Sequence, residues 1–194
     1  MSHMGCYREP FGRPIQETSM MKAKDSRMHS IQEDMEELKK QLEKGSIQKA
    51  YRALLSYMME LRTYFVNKYG DSAVSGLYQG YMDMTYFALF PTSLKRLDLK
   101  IAIVFNYEAF RFEAWLAARN RKVQRQYWEL FKDSHWAEYR VIAPAGGIDS
   151  IIECDLAKDF DFSNQDILTA KIESDTMAFI DNIEGFLLEH QLQG

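Results

Sequence analysis

Two acidic residues and a lysine are the nearest approach in this chain to a catalytic set. Asp83 precedes the triplet Asp98-Leu99-Lys100, so an acid on one β-prone run is followed by an acid-x-Lys pair on the next. Two carboxylates supply oxygen ligands for a hard divalent cation, and a lysine beside them balances charge at an attacked phosphate. Asp83, Asp98 and Lys100 are therefore the candidate catalytic residues, with Glu60 as a further ligand, and their chemistry would be metal-dependent phosphodiester cleavage. Position weighs against it. Each aspartate stands near the start of its own run, and in an antiparallel pair two strand starts lie at opposite ends.

A second set suits binding rather than catalysis. Arg111, Glu113 and Trp115 alternate along one run, with Tyr127 and Trp128 further on and Tyr78 and Tyr81 before. Aromatic faces around a guanidinium form a pocket for an anionic or planar ligand. Arg121 and Arg125, with Arg119 and Lys122, crowd the start of a helix, where the backbone dipole is already positive. Such a cluster either receives an anion or is a solvated face neutralised by nearby carboxylates. The alternative for Lys100, Arg111 and Glu113 is a set of cross-strand ion pairs that only support the sheet.

Other chemistries lack their residues. The four histidines, His3, His29, His135 and His190, are scattered, and there is no Gly-rich phosphate loop, nucleophile elbow or zinc-protease helix motif. Asp159, Asp161 and Ser163 have the odd spacing of a calcium loop, but Asn164 stands where glycine is needed and Ala170 where the bidentate glutamate belongs. Cys6 and Cys154 are too far apart for metal spacing and fit free thiols in a reducing cytoplasm. A formal net charge of −4 argues against general attraction to nucleic acid or membrane. No window carries the roughly 18 apolar residues of a membrane span. No metal site, cofactor or partner is specified, nucleic acid enters only with the nuclease reading, and self-association is left open.

The elements that position these residues follow from hydrophobic period. Residues 1–27, with Pro10, Pro14, Gly5 and Gly12, read as a flexible leader, and 28–194 as a single domain. Ser30 and Glu33 form a capping-box pattern ahead of Ile31, Met35, Leu38 and Leu42, and Gly45 ends that helix. A second helix runs from Ser46 to about Tyr69. Tyr81 to Phe90 reads as a strand closed by Pro91. Asp98 to Leu116 is the central hairpin: Leu99, Ile101, Ile103 and Phe105 share a core face with Phe110, Phe112, Ala114 and Leu116, while Asp98, Lys100, Arg111, Glu113 and Trp115 face the other way. A loop of two or four residues satisfies this pattern, and the two-residue loop sets Lys100 opposite Glu113. Asn120 caps a helix over 120–132, Ile148 to Leu156 alternates as a fourth strand, and Ser163 caps a long last helix.

The expected fold is α+β: an antiparallel sheet of about four strands packed by an N-terminal helical hairpin, a middle helix and a long C-terminal helix. The order helix, three strands, helix, strand resembles the core of restriction-endonuclease-like nucleases. From Gln79 onward the segments Gln79–Phe87, Arg111–Leu116 and Gln126–Leu130 resemble a family of uncharacterised bacterial proteins catalogued as a domain of unknown function, over roughly residues 35–190. That resemblance implies a bacterial cytosolic domain and no particular activity. The favoured expectation is a soluble, non-catalytic binding domain, with the metal-dependent nuclease as the alternative.

Overall fold

A computed structural model describes residues 30–70, 72–147, 149–157 and 159–191; the leader expected over 1–27 lies outside the described residues. The chain divides into two compact units, residues 1–48 and 49–194. In the first, α1 (Ile31–Glu43) starts at the expected capping box, with the Ser30 hydroxyl accepting from the Glu33 N–H and the Glu33 carboxylate accepting from the Ser30 N–H. Gly45 follows at φ 72°, a conformation that costs glycine little. None of the residues of α1 is buried.

The second unit holds the sheet. α2 (Ser46–Lys68) crosses the boundary and leads to β1 (Ala73–Val74), β2 (Met84–Phe90), α3 (Thr92–Lys95), β3 (Leu99–Asn106), β4 (Arg111–Ala118), α4 (Arg121–Asp133), β5 (Arg140–Val141), β6 (Ser150–Ala157) and α5 (Gln165–Gln191). The fold is α+β, and its sheet is antiparallel throughout in the order β1-β2-β3-β4-β6-β5. The four long strands are those anticipated. β1 and β5, of two residues each, are additions too short to show a period.

The central loop holds four residues, because Asn106 pairs with Arg111. Lys100 then faces Ala117 and Glu113 faces Val104, which corrects the Lys100–Glu113 pairing of the shorter loop. Phe110, expected in the core, turns at φ 49° and is largely exposed. Along β6 the register with β4 shifts twice, leaving Ile151 and Leu156 as extra residues. Such bulges re-aim the side chains around them, and here Ser150, Glu153 and Asp155 face the same way as Ala117, Trp115 and Glu113.

One face of the sheet, through Phe87, Ile101, Ile103, Phe105, Phe112 and Leu116, builds the core with Tyr57, Met58, Leu61 and Phe65 of α2, Phe131 of α4, and Ile172, Phe179 and Ile183 of α5. Each large side chain fully buried there contributes about 1.5–3 kcal/mol. Ser163 does not cap α5: its hydroxyl donates to Asp161, and the helix begins at Gln165. No helix among the described residues is long and apolar enough to cross a membrane.

Candidate functional site

The face turned away from the core helices carries the polar residues. Period-two alternation puts Tyr86, Val104, Glu113 and Asp155 in one row across four strands, and Ala88, Ala102, Trp115, Glu153 and Arg140 in the next. Two acids, Glu113 and Asp155, thus stand directly opposite each other, an arrangement that is repulsive unless bridged. Arg111 bridges it, with Nε 2.6 Å from Glu113 Oε1 and 3.1 Å from Asp155 Oδ1.

Glu113 is only 1% exposed, and burying a charge at that depth requires donors on both oxygens. Besides Arg111, its Oε2 accepts from Trp115 Nε1 at 2.7 Å and from Asn106 Nδ2 at 3.4 Å. Beside it, Glu153 accepts from Arg140 Nη2 and from Ser150 Oγ, each at 2.7 Å, and hydrogen bonding to Glu153 raises the Arg140 pKa. Gln124, buried on α4, ties this end of the sheet down through Nε2 to the Ser150 carbonyl at 3.0 Å.

Above this layer lies a cleft of about 470 Å³. Trp115, Ala102, Ala117 and Tyr86 line it. At one end stand Asp83 and Glu108; at the other, Lys100 and Asp149, whose carboxylate faces Arg121 at 3.4 Å. The Tyr81 and Met84 N–H groups hold the Asp83 carboxyl below the usual carboxylate range. Lys100 makes no hydrogen bond or ion pair with described residues. Burial, followed by the charge of Asp149, pushes the Tyr86 hydroxyl up, so it remains a neutral donor at physiological pH.

The expected sites fare differently. Asp83 and Lys100 line the same cleft, but Asp98 does not join them. Asp83 sits beside the end of β3, where its carbonyl accepts from the Tyr107 N–H, and Asp98 immediately precedes the start. Eight residues of strand separate them, roughly 25 Å at the usual rise. Asp98 faces Arg119 at 3.4 Å, and Glu60 is exposed on α2, accepting from Ser56. No group of three or more metal-ligating side chains occurs among the described residues.

Arg111, Glu113 and Trp115 do converge, but the guanidinium is held by two carboxylates, so the anion site imagined around it is not formed. Tyr127 lies in the core, and Trp128 takes Lys132 over its ring at 5.0 Å; neither lines the cleft. Asn120 caps α4 by accepting from the Val123 N–H. Arg121 faces Asp149 at 3.4 Å and donates to Gln124, whereas Arg125 is exposed. Two of the four cations at the helix start, Arg119 and Arg121, thus face carboxylates.

Sequence reasoning missed Glu153, Asp155, Arg140 and Gln124. The alternation of Glu153 and Asp155 with Ile152 and Cys154 was a usable signal, while Arg140 sits on a strand with no period to read. A family model described as a domain of unknown function, DUF7000, matches residues 31–187. No curated protein shows a significant match, and no solved structure does either.

Proposed function

We propose that this chain, which belongs to the DUF7000 family of domains of unknown function, is a non-catalytic binding domain that takes a small planar ligand in the cleft on the open face of its sheet. One observation carries the reading: the indole N–H of Trp115 is consumed by buried Glu113 at 2.7 Å, so the ring is fixed as a flat wall of the cleft and offers its π-face, not a donor. A wall whose rotamer is already locked loses little entropy when a ligand stacks on it. Lys100 at one end, where the neighbouring Asp149 carboxylate is already paired with Arg121, and Asp83 with Glu108 at the other favour a ligand bearing opposite charges at its two ends. A reducing, cytoplasmic setting fits a sequence with only two cysteines, Cys6 and Cys154, far apart in the chain.

The test is a titration followed by ligand-observed NMR and isothermal calorimetry, with L-tryptophan as a zwitterionic probe, tryptamine as cationic, indole-3-acetate as anionic and adenine as neutral. Saturable binding, strongest for the zwitterion and lost in Trp115→Leu without loss of fold, is the expected result. Binding that is unchanged in Trp115→Leu, or no saturable signal from any probe at low millimolar concentration, refutes it.

A further inference from the structure

The first unit poses a separate question, because α1 presents a stripe of large apolar side chains that none of the described residues of its unit covers. Ile31, Met35, Leu38 and Leu42 are 77, 54, 46 and 39% exposed. Their spacing of four, three and four residues is the repeat of a coiled-coil seam, with Ile31 and Leu38 in the d positions and Met35 and Leu42 in the a positions. A lipid surface is a poor occupant. The helix carries five acids, Glu33, Asp34, Glu36, Glu37 and Glu43, against Lys39 and Lys40, and interfacial helices that bind anionic lipid are basic.

The flanking charges identify a better one. Asp34 occupies the g position before Met35, and Lys39 the e position after Leu38. In a parallel pair, each g residue faces the e residue of the following heptad on the partner helix, so Asp34 of each copy meets Lys39 of the other. An antiparallel pair centred on the same seam leaves Asp34 against Gln41 and Lys39 against Gln32. Both charges are on the surface, and among the described residues the only ion-pair contact of Lys39 is with Glu43 of its own helix, at 4.0 Å. The stripe and its charges are therefore self-complementary, as a two-fold interface requires.

We infer that α1 is a self-association element that pairs in parallel with α1 of a second copy of this chain. With 13 residues in the helix, the contact falls at the small end of specific interfaces, and the association is weak and concentration-dependent.

Sedimentation equilibrium of the full chain over a wide concentration range tests this, with circular dichroism confirming that each variant is folded. Wild type moves from monomer to dimer as concentration rises. Leu38→Glu weakens the dimer at least tenfold. Asp34→Lys and Lys39→Asp each weaken it several-fold, and the double variant Asp34→Lys/Lys39→Asp recovers it. A monomer at every concentration overturns the inference, as does association indifferent to Leu38→Glu. A double variant no better than either single one overturns the parallel register. Ligand binding in the cleft has no part in these outcomes.

Discussion

Replacing Glu113 with glutamine removes one charge, keeps the side-chain shape, and tests whether the buried layer beneath the cleft organises it. In wild type both oxygens accept: Oε1 from Arg111 at 2.6 Å, and Oε2 from Trp115 at 2.7 Å and Asn106 at 3.4 Å. A glutamine has one oxygen and one NH₂, so whichever way it turns, an N–H points at an N–H. If the oxygen stays with Arg111, the indole N–H of Trp115 is left without an acceptor in a buried setting, at a cost of about 1–3 kcal/mol. The Arg111 bond also loses its charged acceptor, which makes it weaker by about 1 kcal/mol.

The sum is about 3 kcal/mol, moderated because Arg111 keeps Asp155 at 3.1 Å. For a protein of this size that corresponds to roughly 6–12 °C in Tm. Urea unfolding followed by tryptophan fluorescence measures it directly, since Trp115, Trp128 and Trp136 all lie in the second unit. The Trp115 wall also loosens, so ligand affinity falls along with stability. A stability change below about 0.5 kcal/mol, the range of an ordinary surface substitution, would refute the claim that Glu113 is a required acceptor.

Two further outcomes follow from the geometry. Glu173 accepts from Tyr64 at 2.6 Å and from Tyr69, and faces Lys68 at 2.6 Å. Burial alone raises its pKa, but Lys68 and the two tyrosines outweigh burial and hold it below the ordinary value. Its contribution to stability is thus complete above the unfolded pKa of about 4.3 and is lost as pH falls through the lower folded value. The stability difference between wild type and Glu173→Gln should shrink between about pH 5 and pH 3, and a difference constant with pH counts against this. At Gly80, φ is +65°, and an added β-carbon would lie 2.5 Å from Asp83 Oδ1 and closer still to the Met84 carbonyl oxygen. Gly80→Ala should destabilise by about 2 kcal/mol or more and disturb the Asp83 end of the cleft; unchanged stability and probe binding would show that the turn is not constrained.

Much of this fold was legible because its periods are long. The capping box at Ser30 and Glu33, the stripe from Leu54 to Phe65 and the alternation from Leu99 to Leu116 each repeat often enough to mark an element. What escaped depended on single residues. The hairpin register hung on whether Tyr107–Phe110 formed a four-residue loop, and nothing in a phenylalanine announces the positive φ it takes at position 110. Likewise, the extra residues Ile151 and Leu156 are ordinary apolar residues whose effect is to choose which side Ser150, Glu153 and Asp155 face.

The candidate site was half legible for the same reason. Arg111, Glu113 and Trp115 share a strand, so alternation alone puts them together. Their partners Asp155 and Asn106 meet them only through strand pairing, and pairing turned the presumed anion receptor into an internal ion bridge.

The two short strands have a bearing on how the molecule behaves at high concentration. The exposed rim of a sheet is a template on which another chain can polymerise. Here Ala73, Val74 and Tyr78 occupy the outer side of β2, and the Ala88 N–H is taken by the Ser75 hydroxyl. On the far rim Arg140, Val141 and Ile142 cover β6 as far as Glu153. Among the described residues little unpaired backbone is left along β2, whereas residues 154–157 of β6 have no partner on that side, so growth of the sheet into fibres has few footholds along the β2 rim and a short one on β6.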